Sequence, residues 1–303
     1  MLKTLRHKLI DTLWETYLHA TPDMQIIQKA LQRKGMHTII QDHFAVIDLP
    51  SQHSGIPVLQ EIFTTLGYEE RGKDYLAEKQ NDFLWMAEKN CQDSPVHTVL
   101  PQVVVADFRL QEMPEAVRKI IAHYANQTRP FNRELVQQYL QNGDEQTLLN
   151  CTEYFADYFK GRDWPLPTVK EFECVREFNE LLAWVLVFGR RPNHFTVSAH
   201  LLGKFNGIAD FIHFIECETQ LPLNEGTGKI KGDKQSGLAQ GSTVGITKKI
   251  RLADGEIDIP TAFVEFVWRY PHSENQQEKW GDYFQDFIGV NANRVIESLY
   301  VDD

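Results

Sequence analysis

No Cys-x-x-Cys pair occurs in the 303-residue chain; its four cysteines, Cys91, Cys151, Cys174 and Cys217, are scattered. Such spacing argues against a zinc ribbon and a disulfide framework, and it fits reduced thiols in a cytoplasmic protein. Long apolar runs are also missing. The longest, Leu181–Phe188, falls far short of the roughly 20 residues that cross a bilayer, and Met1–Leu13 lacks the continuous apolar core of a signal peptide. Positive charge is in deficit: a formal net charge of −11 at pH 7 and a pI near 5.5 disfavour attraction to nucleic acid or to an anionic membrane surface. A small molecule is the expected ligand. With 42% hydrophobic and 24% charged residues the composition is that of an ordinary globular chain, long enough to bury a large core.

Leu9, Leu13 and Leu18, then Ile26, Ile27 and Leu31, give residues 1–35 the spacing of two amphipathic helices broken around Ala20-Thr21-Pro22-Asp23, a helical lead-in. His43–Leu49 is apolar and β-branched and stops at Pro50, as a strand does. A helix fits Pro57–Leu66, closed by Gly67. Extended segments beginning at Tyr68 and near Tyr75–Ala77, Phe83–Met86 and Val103–Leu110 complete a β-α-β-β-β unit over 37–110. Residues 111–188 form a helical insertion in which Phe172–Val187 is apolar nearly all round, as a buried helix is. From 189 to 303 the order recurs: a strand at 194–200, a helix near Gly207–Glu216, extended segments around 225–231, 238–246, 249–252 and 261–269, then a tail anchored by Trp280, Tyr283, Phe284 and Phe287. The fold class expected is α+β, with two β-α-β-β-β modules forming a curved mixed sheet in one domain. His43 and His194 then open the first strand of each module, an equivalence that rests on element order alone.

The stretch Asn193-His-Phe-Thr-Val-Ser-Ala-His200 alternates so that His194, Thr196, Ser198 and His200 share one face. His194 and His43 are candidate ligands, or else histidines that merely hydrogen-bond their surroundings. Glu265 sits inside Ala-Phe-Val-Glu-Phe-Val-Trp, where an ionised carboxylate needs a partner. Arg269, four residues on, is one available partner and a candidate substrate contact; a metal is the other. Two imidazoles and one carboxylate from three strands make a facial triad with open positions, a set that suits Fe(II) best and also accepts zinc or manganese. Gly237–Gly245 is a small-residue strand that places Gln240 and Ser242 to bond a ligand, with a plain glycine-rich turn as the alternative. Thr196 and His200 are expected to support the ligands from behind, while His213 reads as structural. Gly226-Thr-Gly-Lys-Ile-Lys-Gly232 has the wrong spacing for a dinucleotide fingerprint and reads as a hairpin.

Over most of its length the chain resembles the 2-oxoadipate dioxygenase/decarboxylase (hydroxyglutarate synthase) family. The resemblance is strongest over 193–202, 224–245, 260–269 (Pro-Thr-Ala-Phe-Val-Glu-Phe-Val-Trp-Arg) and 291–298 (Asn-Ala-Asn-Arg-Val-Ile-Glu-Ser). It implies a glyoxalase-like, vicinal-oxygen-chelate fold and a mononuclear iron on His43, His194 and Glu265. It further implies a 2-oxo acid chelated through its carboxylate and keto oxygens, and oxygen-driven decarboxylation and hydroxylation. One motif departs. Where the family usually continues His-x-Ala-x-Arg, this chain has His43-Phe-Ala-Val-Ile47, losing a guanidinium suited to gripping a carboxylate. Arg71, Lys79 and Arg109 are the residues that could restore the charge from another strand. The alternatives are a metal-dependent isomerase, lyase or hydrolase on the same scaffold, and a non-catalytic binding protein.

Overall fold

The computed structural model describes residues 1–299, so the last four residues of the expected tail lie outside the described residues. Helices α1 (Leu2–Ala20) and α2 (Pro22–Arg33) open the chain, split at Thr21 because Pro22 takes the first turn of α2, where its missing N–H leaves no bond unmade. The first module follows: β1 (Gln41–Ile47), α3 (Ile56–Thr65), β2 (Tyr68–Leu76), β3 (Asn81–Glu88) and β4 (Gln102–Phe108). The insertion comprises α4 (Glu115–Ala125), α5 (Arg133–Asn142), α6 (Glu145–Phe159), α7 (Val169–Arg176) and α8 (Glu180–Phe188). The second module runs β5 (Phe195–Ser198), α9 (Ile208–Thr219), β6 (Lys231–Asp233), β7 (Leu238–Ser242), β8 (Thr247–Arg251), β9 (Glu256–Pro260) and β10 (Glu265–Arg269), and α10 (Gly289–Ile296) comes after it.

Eight strands make one mixed sheet in the order β2-β3-β4-β1-β5-β10-β7-β6. β1 lies parallel to β4, and β5 lies parallel to β10, while β1 and β5 meet antiparallel. Each half therefore reads outward as first, last, middle strands, and the two modules are related by a pseudo-twofold axis at the β1–β5 seam. This is the α+β, two-module fold expected, with local differences. The segments expected from Tyr68 and near Tyr75–Ala77 are the single strand β2, and the one expected around 225–231 is confined to Lys231–Asp233. The β8–β9 hairpin forms a sheet of its own inside the second module; β9 alternates acidic with apolar residues and carries no run long enough to stand out. The apolar stretch 172–187 is two helices, because the Asn179 side chain accepts from the Leu182 N–H and caps a new one. The strand from 194 ends at Ser198, and Ala199–Leu201 turns as a 3-10 helix.

Strand alternation sends Phe44, Val46, Phe195, Val197 and Phe266 to one face, where they pack with α1, α2, α3, α6 and α9. Ile47, Phe83, Trp85 and Ala106 lie in a second core with α4, α7, α10 and α8, which is buried at every residue from Leu181 to Phe188. Among the described residues no helix is long and apolar enough to cross a membrane. At the seam Phe44 and Phe195 are register partners whose rings stack at 4.9 Å. Truncating Phe195 to Ala is expected to cost about 3–5 kcal/mol in urea unfolding, the usual penalty for emptying an aromatic site in a core. A loss below about 1 kcal/mol would show that stacking does not hold the seam.

Candidate metal centre

The seam places its polar side chains on the face opposite the phenylalanines. His43 from β1, His194 just before β5 and Glu265 at the start of β10 are all buried, and one ligating atom of each lies within 4.8 Å of the others. Glu265 Oε2 is 3.4 Å from His43 Nε2 and 3.2 Å from His194 Nε2. Facial donors with bonds of about 2.1 Å stand roughly 3 Å apart, so these separations suit one divalent ion.

A bulge in β1 supports this geometry. Gln41 pairs with Val197 and Phe44 with Phe195, so Asp42 and His43 together oppose Thr196. The extra residue re-aims the strand, and Asp42 turns back onto its neighbour: His43 Nδ1 donates to Asp42 Oδ1 at 2.8 Å. Because a carboxylate only accepts, this bond fixes the ring tautomer and leaves the Nε2 lone pair for a metal. His194 repeats the arrangement, its Nδ1 donating to Asn193 Oδ1 at 2.7 Å. Glu265 is oriented from the other side by Gln240, whose Nε2 donates to Oε1 at 2.6 Å.

The charges are set by the same contacts. Burial works against an ionised Asp42, yet the Arg269 guanidinium and His43 hold its carboxyl well below the usual range. Burial likewise opposes a charge on Glu265, but His43, His194 and the Gln240 amide keep its pKa below the ordinary value. His43, although buried, is raised by the Glu265 and Asp42 carboxylates. His194 is pushed down to about 4, by burial first, with Glu265 opposing and His43 adding. A carboxylate and a neutral imidazole are the protonation states metal ligands need.

The remaining sequence candidates divide between cavity and support. Thr196 Oγ1 reaches His43 Nε2 at 3.1 Å, beside the triad itself. Gln240 lines the adjoining cavity, and its Oε1 is buried with no partner. Arg269 does not meet Glu265 and does not line that cavity; it clamps Asp42 with two bonds of 2.8 and 2.9 Å and donates to the Phe284 and Asp286 carbonyls. Ser242 turns away, its hydroxyl sharing a hydrogen bond with Ser298. His200 leaves the shared strand face at the 3-10 turn and lies near Tyr283 and Arg269, where burial lowers its pKa to about 4. The supporting residues missed in the sequence are Asp42 and Asn193, and a signal for them exists: Asp42-His-Phe-Ala-Val and Asn193-His-Phe-Thr-Val are the same pattern in the two modules.

The cavity beside the triad holds about 50 Å³. β1 supplies Ala45 and Ile47, β4 supplies Val104 and Ala106, β2 and β3 supply Leu76, Asn81 and Phe83, and Phe287 with α10 covers it. None of Arg71, Lys79 and Arg109 reaches it. Arg71 pairs with Glu69 and lies over Trp280, Lys79 is near Glu180, and Arg109 pairs with Asp82 over the Tyr75 ring.

Residues 7–277 match the family model described as 2-oxoadipate dioxygenase/decarboxylase. The chain belongs to this family. Among 2-oxoadipate dioxygenase/decarboxylase relatives, the chloroplastic enzyme of Arabidopsis thaliana is 26% identical over 94% of this chain and 74% of its own length. The crystal structure of the Oryza sativa hydroxyglutarate synthase in complex with 2-oxoadipate is 25% identical, with a TM-score of 0.79 over 98% of this chain and 92% of that one. A glyoxalase superfamily protein from Ralstonia eutropha JMP134, at 17% identity, superposes with a TM-score of 0.72 over 88% and 82% of the two chains. The fold is thus glyoxalase-like. If Asp42 orients His43 toward a metal ion, Asp42→Asn should weaken metal affinity by about 10- to 100-fold. Competition with a chromophoric chelator measures this, and unchanged affinity would restrict Asp42 to a structural role.

Proposed function

We propose that the protein is a metal-dependent dioxygenase/decarboxylase that converts a 2-oxo acid to the 2-hydroxy acid one carbon shorter. The observation that carries this reading is the convergence of two tautomer-fixed imidazoles and one oriented carboxylate on one point beside a cavity, in a chain of this family. Fe(II) is the proposed metal; zinc and manganese are compatible with the same donors. When bound, the iron supplies Lewis acidity toward the carboxylate and keto oxygens and the means to activate oxygen. Four free thiols suit a reducing compartment, and the cytoplasm is the one proposed, although the plant relatives carry plastid names.

The reaction balances without an external reductant. The C1–C2 bond breaks and C1 leaves as carbon dioxide, one oxygen atom completes a carboxyl group at C2, and the other enters a C3–H bond as a hydroxyl. Two electrons come from each oxidation, and the four reduce one dioxygen. The protein's part is positional. His43 and His194 are held with Nε2 inward by Asp42 and Asn193, and Glu265 is fixed by Gln240. The unpartnered Gln240 Oε1 is available to accept from a bound hydroxyl or water. Phe287 packs edge-on against His43 and Phe263 flat against His194, which keeps water off both rings.

Protein purified without oxygen and loaded with iron is expected to hold about one ion per chain, and His194→Ala and Glu265→Ala to lose it while staying folded. Oxygen uptake matching carbon dioxide release from a 2-oxo acid confirms the reaction. Turnover that proceeds equally without oxygen, on zinc or manganese, would replace it with lyase, isomerase or hydrolase chemistry.

A further inference from the structure

The cavity beside the triad has a polar end and an apolar end. Beyond His43, His194, Glu265 and Gln240, the polar lining residue is Asn81, whose amide donates to the Asp107 carbonyl at 2.7 Å. Everything else that faces the cavity is aliphatic or aromatic, and no lysine or arginine is among the lining residues. Ile47 lies on the same side of β1 as His43, two strand alternations on, and is 5% exposed. Arg269 is held on Asp42 and Arg109 on Asp82, and the buried Lys231 donates to the Asn224 carbonyl.

Resting on the reading of this site as a metal centre that chelates a 2-oxo acid, we propose that the substrate is a 2-oxo monocarboxylic acid with a short apolar tail, and that Ile47 sets this selectivity. The lining supports it. A second carboxylate, such as that of 2-oxoadipate, would press on the apolar wall, where no lysine or arginine is among the lining residues to pair with it. The volume of about 50 Å³ points to a small tail as well.

The test is a matched pair. 2-Oxohexanoate and 2-oxoadipate differ only in a terminal methyl against a terminal carboxylate, and their binding to zinc-loaded protein is measured by titration calorimetry, with no turnover. 2-Oxohexanoate is expected to bind at least about tenfold more tightly. In Ile47→Arg the order should reverse, with 2-oxoadipate gaining about 10- to 100-fold; Ile47→Lys serves if the larger side chain unfolds the protein. On iron with oxygen, wild type should convert 2-oxohexanoate to 2-hydroxypentanoate and carbon dioxide. Equal binding of the pair, or preference for 2-oxoadipate, overturns the tail assignment and leaves the enzyme reading intact. If metal binds and neither acid does, the 2-oxo acid reading itself falls, and this inference with it.

Discussion

Two carboxylates, Asp42 and Glu265, are buried at the seam between the modules, and the arrangement of the surrounding strands follows from the need to match them. A buried charge that loses its partner costs several kcal/mol, which is why neither can stand alone. Asp42 on β1 is answered by Arg269 on β10, and Glu265, four residues before Arg269, is answered by imidazoles from β1 and the entry to β5 and by an amide from β7. Each pairing crosses between strands, so the charges tie together the centre of the sheet. Register is pinned there: a one-residue slip of β10 would turn both Glu265 and Arg269 to the phenylalanine face.

The two halves of the site are copies with one difference that electrostatics explains. Each histidine has an acceptor immediately before it, Asp42 in one module and Asn193 in the other. Both acceptors fix a ring tautomer, but only the first adds charge. The seam contains one guanidinium, and Asp42 already occupies it through two hydrogen bonds. A second aspartate at 193 would be buried without a cation, whereas asparagine offers the same carbonyl geometry at no ionic cost. The imidazoles differ accordingly, His43 raised by its carboxylate neighbours and His194 held down to about 4.

Much of this was legible in the sequence because apolar surroundings make a polar residue conspicuous. Glu265 stands out among Phe, Val and Trp, and the two histidines open β-branched runs, so the strands and the triad could be placed together. Partner choice was harder to see. Arg269 shares a strand face with Glu265, which suggested a pair, but only the sheet order shows that β10 and β1 flank β5 and that the guanidinium reaches across to Asp42. Asp42 itself was hidden by alternation, which would turn it away from His43; the bulge opposite Thr196 cancels that rule, and nothing in the composition of Gln41-Asp-His43 announces a bulge. Ser242 and His200 were misplaced for related reasons, one because Ser298 after α10 claims its hydroxyl, the other because β5 ends two residues before it.

The apolar cavity and the charged seam reinforce one another. Ionic and dipolar interactions strengthen as water is excluded, and the rings of Phe263 and Phe287 exclude it directly from the two imidazoles. The same exclusion makes the site intolerant of any charge it is not built to neutralise. In such a setting specificity needs no dedicated contact with the tail of a ligand. A wall of Ile47, Leu76 and Phe83 rejects a second carboxylate by giving it nothing to bond, because discrimination against an unpaired buried charge exceeds what a hydrophobic pocket achieves by counting methylenes.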